Sequence, residues 1–139
     1  MNNRRKKILL VDDEKDVLHT LAEGLRASDG AFEVLTAENG KKALEIFRNG
    51  HKVDLLVTDI EMPVMDGFEL LAHVKKDFPA IPVIVITGLI TPKIKEQLKT
   101  IGDHICIEKP ISFMELRRKI IDELRLHSAR GRNQERPGQ

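Results

Sequence analysis

The stretch V-D-L-L-V-T-D-I-E-M-P-V-M-D-G at residues 53–67 decides the fold class. Residues 53–57 are largely apolar, and a short apolar run that ends in turn residues is typical of a buried strand in a parallel sheet. Asp59 follows at the carboxyl end of this strand, and Met62-Pro63 and Asp66-Gly67 then turn the chain. Open α/β sheets bind their ligands at the carboxyl ends of strands, so Asp59 is a candidate functional residue. The alternative is that Asp59 only caps the next helix.

Apolar runs of strand length alternate with stretches of helical periodicity along the chain. The predicted strands are residues 7–11, 32–36, 53–59, 83–86 and 104–107. The predicted helices are residues 16–27, 40–49, 66–77, 91–101 and 112–126. Helix starts are predicted at Asp66 and Ser112, each three residues before a glutamate, and at Thr91, which precedes a proline. This alternation predicts an α/β domain with a five-stranded parallel sheet, helices on both faces and right-handed crossovers.

Length and composition indicate one domain with a substantial core. The chain has 139 residues, of which 41% are hydrophobic and 32% charged. We expect a basic extension at residues 1–6, the folded domain at 7–126 and a disordered tail at 127–139. No apolar run is long enough to cross a bilayer, and the N-terminus does not resemble a signal peptide, so the expected location is the cytoplasm. The single cysteine, Cys106, excludes an intramolecular disulfide.

Charge is segregated along the chain, although the formal net charge is only +1. Residues 4–7 and the tail are basic, whereas residues 8–129 are net acidic. An acidic body argues against direct nucleic-acid binding by the folded domain. The basic ends are typical of solvated termini.

Polar residues follow four of the predicted strands: Asp12 and Asp13 the first, Asp59 the third, Thr87 the fourth and Lys109 the fifth. All these ends lie at one edge of a parallel sheet, and in the doubly wound order 2-1-3-4-5 the first and third strands are neighbours. Crowded carboxylates repel one another unless a cation joins them, and Mg²⁺ prefers oxygen ligands of this kind. The sequence therefore predicts a Mg²⁺ site at this edge.

Lys109, Thr87 and Gly88 add the groups that a phosphoryl group in transfer requires. Lys109 offers a positive point charge, Thr87 a hydroxyl, and Gly88 a backbone N–H that a ligand can approach closely. A carboxylate can act as a nucleophile and form an acyl phosphate, so these residues predict phosphoryl transfer onto Asp59. Taken singly, such an aspartate could cap a helix, the threonine could bond to backbone and the lysine could be a solvated side chain.

Four motifs together resemble those of the receiver domain of bacterial two-component response regulators, and the chain is similar to the chemotaxis response regulators. The motifs are I-L-L-V-D-D-E (8–14), L-L-V-T-D-I-E-M-P-V-M-D-G (55–67), V-I-V-I-T-G (83–88) and I-E-K-P (107–110). The resemblance covers residues 7 to about 126 and implies the flavodoxin-like fold. It also implies that Asp59 is phosphorylated by a phosphohistidine on a sensor histidine kinase or a phosphotransfer protein. Thr87 and Lys109 would then contact the phosphoryl oxygens.

The resemblance further implies how Mg²⁺ is bound. Asp13 and Asp59 would bind the ion directly, Asp12 mainly through water, and the backbone carbonyl of Glu61 would complete the protein ligands. Glu61 and Leu89 would also flank the place where the family tunes hydrolysis of the acyl phosphate.

Cys106 departs from the family pattern. The family often has an aromatic residue three positions before the lysine on strand 5, whereas this chain has Cys106 there and contains neither Tyr nor Trp. The resemblance implies that phosphorylation moves Thr87 and rearranges the surface of helix 4, strand 5 and helix 5, a surface that could also form a homodimer. We expect the aromatic part of this switch to be absent or altered.

Two alternatives stay open at this point. A pseudo-receiver would keep the fold as a protein-interaction module without using the site, and Cys106 is the residue that favours it. A phosphatase of the haloacid dehalogenase type also uses a strand-end aspartate as nucleophile. That class needs a D-x-D motif, however, and this chain has Glu61 at the second acidic position.

Overall fold

Strands and helices alternate throughout the computed structural model, which describes residues 5–28, 32–102 and 105–134, the segment 127–134 as backbone. The strands are β1 (Lys6–Val11), β2 (Phe32–Ala37), β3 (Leu55–Asp59), β4 (Val83–Thr87) and β5 (Ile105–Glu108). The helices are α1 (Lys15–Arg26), α2 (Gly40–Arg48), α3 (Gly67–Asp77), α4 (Pro92–Ile101) and α5 (Phe113–Gln134). Apart from the end of α5, these bounds differ from the predicted ones by no more than two residues.

The five strands are paired in parallel in the order β2-β1-β3-β4-β5. The predicted doubly wound order is therefore confirmed. β3 lies at the centre of the sheet, with Thr58 opposite Val11 of β1 and Asp59 opposite Ile86 of β4. The carboxyl ends of β1, β3, β4 and β5 consequently meet at one edge.

Alternate strand residues face opposite sides of the sheet, which gives the domain two apolar layers. On one side, Leu9 and Leu56 pack with the apolar residues of α2 and α3 and with Leu98 of α4. On the other side, Ile8 and Leu10 pack with the apolar residues of α1 and α5. β3 and β4 are buried along their whole length, as expected for central strands covered on both faces.

The predicted helix caps are confirmed by side-chain hydrogen bonds. The side-chain oxygens of Asp66, Thr91 and Ser112 accept the backbone N–H groups of Glu69 (2.9 Å), Ile94 (3.1 Å) and Glu115 (3.2 Å), respectively. Each bond satisfies a helix N–H that has no partner within its own helix. These caps place the starts of α3, α4 and α5 directly after the loops that follow β3, β4 and β5.

α5 is longer than the sequence pattern predicts. The predicted domain ends at residue 126, whereas α5 continues to Gln134. Apolar periodicity ends near Leu126, but a helix can continue without an apolar face until a breaker ends it, and the next proline is Pro137. Residues 127–134 are therefore helical rather than part of a disordered tail.

Some of the predicted features lie outside the described residues. These are the start of the fifth strand at His104, most of the basic extension and residues 135–139 of the predicted tail. Among the helices that are described, none is both long and apolar enough to span a bilayer.

Candidate functional site

Asp59 ends β3, and its carboxylate is oriented from two sides. Its Oδ1 accepts the backbone N–H groups of Ile60 (2.7 Å) and Glu61 (3.3 Å). Its Oδ2 accepts a hydrogen bond from Nζ of Lys109 at 2.8 Å. The two oxygens are therefore inequivalent, because backbone groups fix Oδ1 and a side-chain cation contacts Oδ2.

Lys109 follows β5, and its ammonium forms ion pairs with three carboxylates. Its Nζ lies 2.8 Å from Oδ2 of Asp59, 2.9 Å from Oε1 of Glu14 and 3.0 Å from Oδ2 of Asp12. The backbone N–H of Lys109 donates to the carbonyl of Thr87 at 2.7 Å, which fixes the lysine beside the end of β4. The structure thus brings Asp12, Asp59 and Lys109 together, as the strand order predicts.

These contacts determine how the buried charges are balanced. Burial by itself lowers the pKa of Lys109, but its hydrogen bonds to Asp59, Glu14 and Asp12 outweigh burial and raise that pKa above its ordinary value. Lys109 therefore stays a cation at neutral pH. Burial also raises the pKa of Asp12, against the opposing effects of the Glu14 N–H and of Lys109.

Thr87 contributes a buried hydroxyl with no hydrogen-bond partner among the described residues. The residue is fully buried at the end of β4. Thr58 is also fully buried, but its hydroxyl donates to the carbonyl of Asp59 at 2.8 Å. An unpaired buried hydroxyl costs on the order of 1–3 kcal/mol, so its presence in a native fold needs an explanation. The simpler interpretation, a Thr87 hydroxyl bonded to backbone, does not hold here.

The acidic group at this edge differs from the predicted one by one residue. Carboxylate oxygens of Asp12, Glu14 and Asp59 all lie within 4.8 Å of one another. Asp13 is exposed and is not one of these three residues, whereas Glu14 is, although the sequence analysis did not name it. The predicted role of Asp13 as a Mg²⁺ ligand stays a prediction. Oδ1 of Asp12 accepts the N–H of Glu14 at 2.9 Å, an Asx-turn that fixes the backbone between them. The ammonium of Lys109 lies within 3.0 Å of an oxygen of each of these carboxylates, so a cation already balances them. Carboxylate oxygens are also the donors that Mg²⁺ prefers.

Two other residues named from the sequence lie on the rim. The side chain of Glu61 is exposed, and its backbone N–H is already bonded to Asp59. Leu89 is 59% exposed in the loop between β4 and α4. The use of the Glu61 carbonyl as a metal ligand stays a prediction.

The loop between β3 and α3 contains a tight turn centred on Val64. The N–H of Met65 donates to the carbonyl of Pro63 at 2.8 Å, and Val64 has a φ of 71°. This is a three-residue γ-turn of the strained, positive-φ kind. A β-branched residue is strongly disfavoured at positive φ, so the loop beside Asp59 stores backbone strain.

Replacing Val64 with glycine is expected to raise the free energy of unfolding by about 1 kcal/mol, because glycine has no Cβ that disfavours positive φ. Val64 is 76% exposed, so the change removes little apolar contact. Urea unfolding followed by circular dichroism measures the effect. Val64→Ile keeps the β-branch and serves as the control, with an expected change below about 0.5 kcal/mol. Equal stabilities of the two variants would show that the turn is not strained.

Cys106 lies on β5 at the edge of the sheet and is half-buried. It packs against the apolar layer that contains α2, α3 and Leu98. Burial raises the pKa of its thiol, and the nearby charge of Lys95 opposes that shift. The thiol is therefore protonated at neutral pH. In this form Cys106 packs as a small apolar side chain.

The fold and the site together define a class: a doubly wound α/β domain with an aspartate, a lysine and a buried hydroxyl at the carboxyl edge of its sheet. The profile of the response regulator receiver domain matches residues 8–121. The chain therefore belongs to the response regulator receiver domain family. Domains of this family are signalling phosphoacceptors that typically bind Mg²⁺ in an acidic pocket and act with histidine kinases or phosphotransfer proteins.

Curated relatives are longer than this chain. The transcriptional regulatory protein GlrR of Escherichia coli (strain K12) is 40% identical over 88 residues, which are 63% of this chain and 19% of GlrR. A response regulator receiver protein of Anaeromyxobacter sp. (strain Fw109-5) is 36% identical over 107 residues, which are 77% of this chain and 44% of that protein. The chain thus spans less than half the length of either relative.

Solved structures with the same fold cover nearly the whole domain. A CheY-like receiver domain protein from Methanospirillum hungatei JF-1 superposes with a TM-score of 0.84 at 27% identity, over 91% of this chain and 99% of that chain. The phosphorylated cyanobacterial phytochrome response regulator RcpA superposes with a TM-score of 0.72 at 30% identity, over 81% of this chain and 86% of that chain. These similarities agree with the flavodoxin-like fold that the motifs imply.

Proposed function

We propose that Asp59 accepts a phosphoryl group from a phosphohistidine on a sensor histidine kinase or a phosphotransfer protein. The observation that supports this most directly is the contact between Oδ2 of Asp59 and Nζ of Lys109 at 2.8 Å, beside the unpaired hydroxyl of Thr87. Because backbone N–H groups occupy Oδ1, Oδ2 is the nucleophilic oxygen. It attacks phosphorus while the P–N bond to the histidine breaks, and the electron pair of that bond stays on the imidazole nitrogen.

Two residues stabilise the transferred group in this proposal. Lys109 gives a positive charge next to the oxygens on which negative charge is redistributed. The Thr87 hydroxyl donates a hydrogen bond to one phosphoryl oxygen, which would satisfy the donor that the unphosphorylated domain leaves unpaired. That second contact also supplies a driving force for Thr87 to move when Asp59 is phosphorylated.

The acidic residues would hold Mg²⁺, which supplies charge neutralisation for the transferring oxygens. Asp12 and Asp59 lie at one edge, and their carboxylate oxygens are donors of the kind that this ion prefers. Asp13 in the same loop and the carbonyl of Glu61 are the further proposed ligands. Crowding of Asp12 against Asp59 is one of the causes that raise the pKa of Asp12, and a bound cation would relieve it.

Signal output in this proposal depends on the surface of α4, β5 and α5. Movement of Thr87 at the end of β4 would alter that surface, which would then bind a partner, an output domain or a second copy of the chain. Cys106 occupies the position where an aromatic side chain would otherwise follow the threonine inward. The switch is therefore proposed to work without a rotating aromatic ring.

Incubation with acetyl phosphate and Mg²⁺ tests the proposal, with intact mass as the measurement. We expect a gain of one phosphoryl group that requires Mg²⁺ and is absent in Asp59→Asn. That variant keeps the size of the side chain and removes the nucleophilic oxygen. A wild-type protein that neither gains mass nor binds beryllofluoride would overturn the proposal in favour of a pseudo-receiver that acts as an interaction module.

A further inference from the structure

Glu14 makes a contact that the phosphoryl-transfer scheme does not use. Its Oε1 lies 2.9 Å from Nζ of Lys109, across 95 positions of sequence. The Asx-turn between Asp12 and Glu14 fixes the backbone that presents this side chain. Glu14 therefore meets the lysine from the β1 end of the site, opposite the end of β5 on which Lys109 is located.

All three N–H donors of the Lys109 ammonium have carboxylate acceptors. A lysine ammonium has three N–H donors, and Lys109 has three carboxylate acceptors: Asp59 at 2.8 Å, Glu14 at 2.9 Å and Asp12 at 3.0 Å. A phosphoryl oxygen that approaches Lys109 must therefore replace one of them. The free-energy cost of this replacement depends on which carboxylate loses its hydrogen bond to Lys109.

Exposure identifies Glu14 as the acceptor that yields. The side chains of Asp12 and Asp59 are only 8% and 7% exposed, so separating either of them from the lysine costs more than separating an exposed carboxylate. The side chain of Glu14 is 59% exposed, so water replaces the lysine there at little cost. Glu14 thus competes for Lys109 in the unphosphorylated state and releases it when an anion arrives.

We propose that Glu14 is a positioning residue that holds Lys109 in the unphosphorylated domain and opposes binding of the phosphoryl group by competing for the same ammonium. This inference rests on the proposed function. Removal of the Glu14 charge should tighten binding of a phosphoryl-like anion by about two- to fivefold, the range expected for one exposed ion pair. The stability of the fold should not change, since it does not depend on this exposed carboxylate.

Binding of beryllofluoride at saturating Mg²⁺ tests the inference. Amide chemical shifts report the dissociation constant, since the chain has no Trp or Tyr for fluorescence. The variant is Glu14→Gln, which keeps the side-chain length. The matched control is Glu38→Gln, which removes the same charge from the loop after β2; Glu38 pairs with Lys15 and Lys42 at 3.9–4.0 Å. A separate Mg²⁺ titration without fluoride establishes saturation for each protein.

We expect Glu14→Gln to bind beryllofluoride about two to five times more tightly than wild type, and Glu38→Gln to bind it as wild type does. The affinity of Glu14→Gln for Mg²⁺ should equal that of wild type or be lower. Its affinities for beryllofluoride and for Mg²⁺ should therefore not rise together. A general structural effect would move both in one direction. Equal or weaker anion binding in Glu14→Gln, with wild type binding normally, would overturn the inference alone. A wild type that fails to bind beryllofluoride and to take up phosphate from acetyl phosphate would overturn the proposed function itself.

Discussion

Replacement of Lys109 with methionine is expected to lower the free energy of unfolding by about 3 kcal/mol at neutral pH. The lysine is only 17% exposed and contacts two carboxylates, those of Asp12 and Asp59, that are more deeply buried still. Methionine has a stem of similar length but no charge, so the variant leaves both carboxylates without a counter-charge. Breaking a buried ion pair by removing one partner is costly for this reason, even where the intact pair adds little stability.

Urea unfolding followed by circular dichroism measures this loss. Lys42→Met is the control, because Lys42 pairs with Glu38 at 3.9 Å on the exposed surface, and its replacement should change stability by less than about 1 kcal/mol. Mg²⁺ should restore much of the stability of the Lys109 variant, since a ligand at about a hundred times its dissociation constant adds roughly 2.7 kcal/mol. Equal losses in the two variants would show that the central carboxylates do not depend on Lys109.

The loss of unfolding free energy in Lys109→Met should be smaller in mild acid than at neutral pH. Asp12 determines this direction. Burial raises the folded-state pKa of Asp12, so the folded state binds this proton more tightly than the unfolded state does. Stability from this group is present at low pH and declines as pH rises from the unfolded pKa through the folded one. Removal of Lys109 takes away one influence that lowers that pKa, so the variant should lose more stability than wild type over the same rise in pH.

The sheet order could be predicted from sequence because its causes are local and repeated. Apolar runs of strand length alternate with helical periodicity. Few arrangements of such a chain bury the apolar faces of both its strands and its helices. The edge at which Asp59, Thr87 and Lys109 meet follows from that order, because each stands at the end of a strand. The helix starts at Asp66, Thr91 and Ser112 were predictable because a side-chain cap depends on residues only three positions apart.

The composition of the acidic group could not be predicted in the same way. Strand periodicity ends at Val11, and beyond it nothing in D-D-E indicates which acid faces the sheet edge. The Asx-turn from Asp12 to Glu14 decides this in the structure, and Glu14 is the acid that reaches Lys109. The sequence does contain a signal for Glu14, because it directly follows Asp12 and Asp13 beside the predicted cation site.

Two backbone features were also beyond sequence patterns. The positive φ of Val64 has no signal in the sequence, because a valine argues against such a turn, and the surrounding loop imposes it. The sequence predicts the end of α5 too early, because apolar periodicity ends near Leu126 while the helix continues to Gln134. Periodicity reports packing against the core, whereas the helix bounds of α5 extend to Gln134.

Replacement of Gly67 with alanine is expected to lower the free energy of unfolding by about 2 kcal/mol or more. A Cβ at this position would lie 2.3 Å from the carbonyl oxygen of Asp59 and 2.6 Å from Cα of Ile60. Both are backbone atoms of the strand end, so no side-chain rotation can relieve the overlap. The N–H of Gly67 also donates to the carbonyl of Ile60 at 2.7 Å, and this bond would be strained by the same displacement.

Gly88→Ala provides a matched control on the other side of the site. A Cβ at Gly88 meets no atom within 4 Å, so the substitution should leave stability unchanged or raise it by up to about 1 kcal/mol. Urea unfolding of both variants by circular dichroism gives the comparison. A loss in Gly67→Ala no larger than the change in Gly88→Ala would show that the start of α3 can move away from β3 freely.

The overlap at Gly67 should impair the site as well as the fold, because the atom displaced first belongs to Asp59. Movement of that carbonyl shifts the backbone from which the Asp59 carboxylate projects, and the buried hydroxyl of Thr58 is bonded to the same carbonyl at 2.8 Å. We therefore expect Gly67→Ala to take up phosphate from acetyl phosphate at least tenfold more slowly, since small displacements of a reacting group cost about that much or more. Rates are compared without denaturant, where the variant remains folded. Normal uptake by a destabilised Gly67→Ala would separate the two roles and assign this glycine to packing alone.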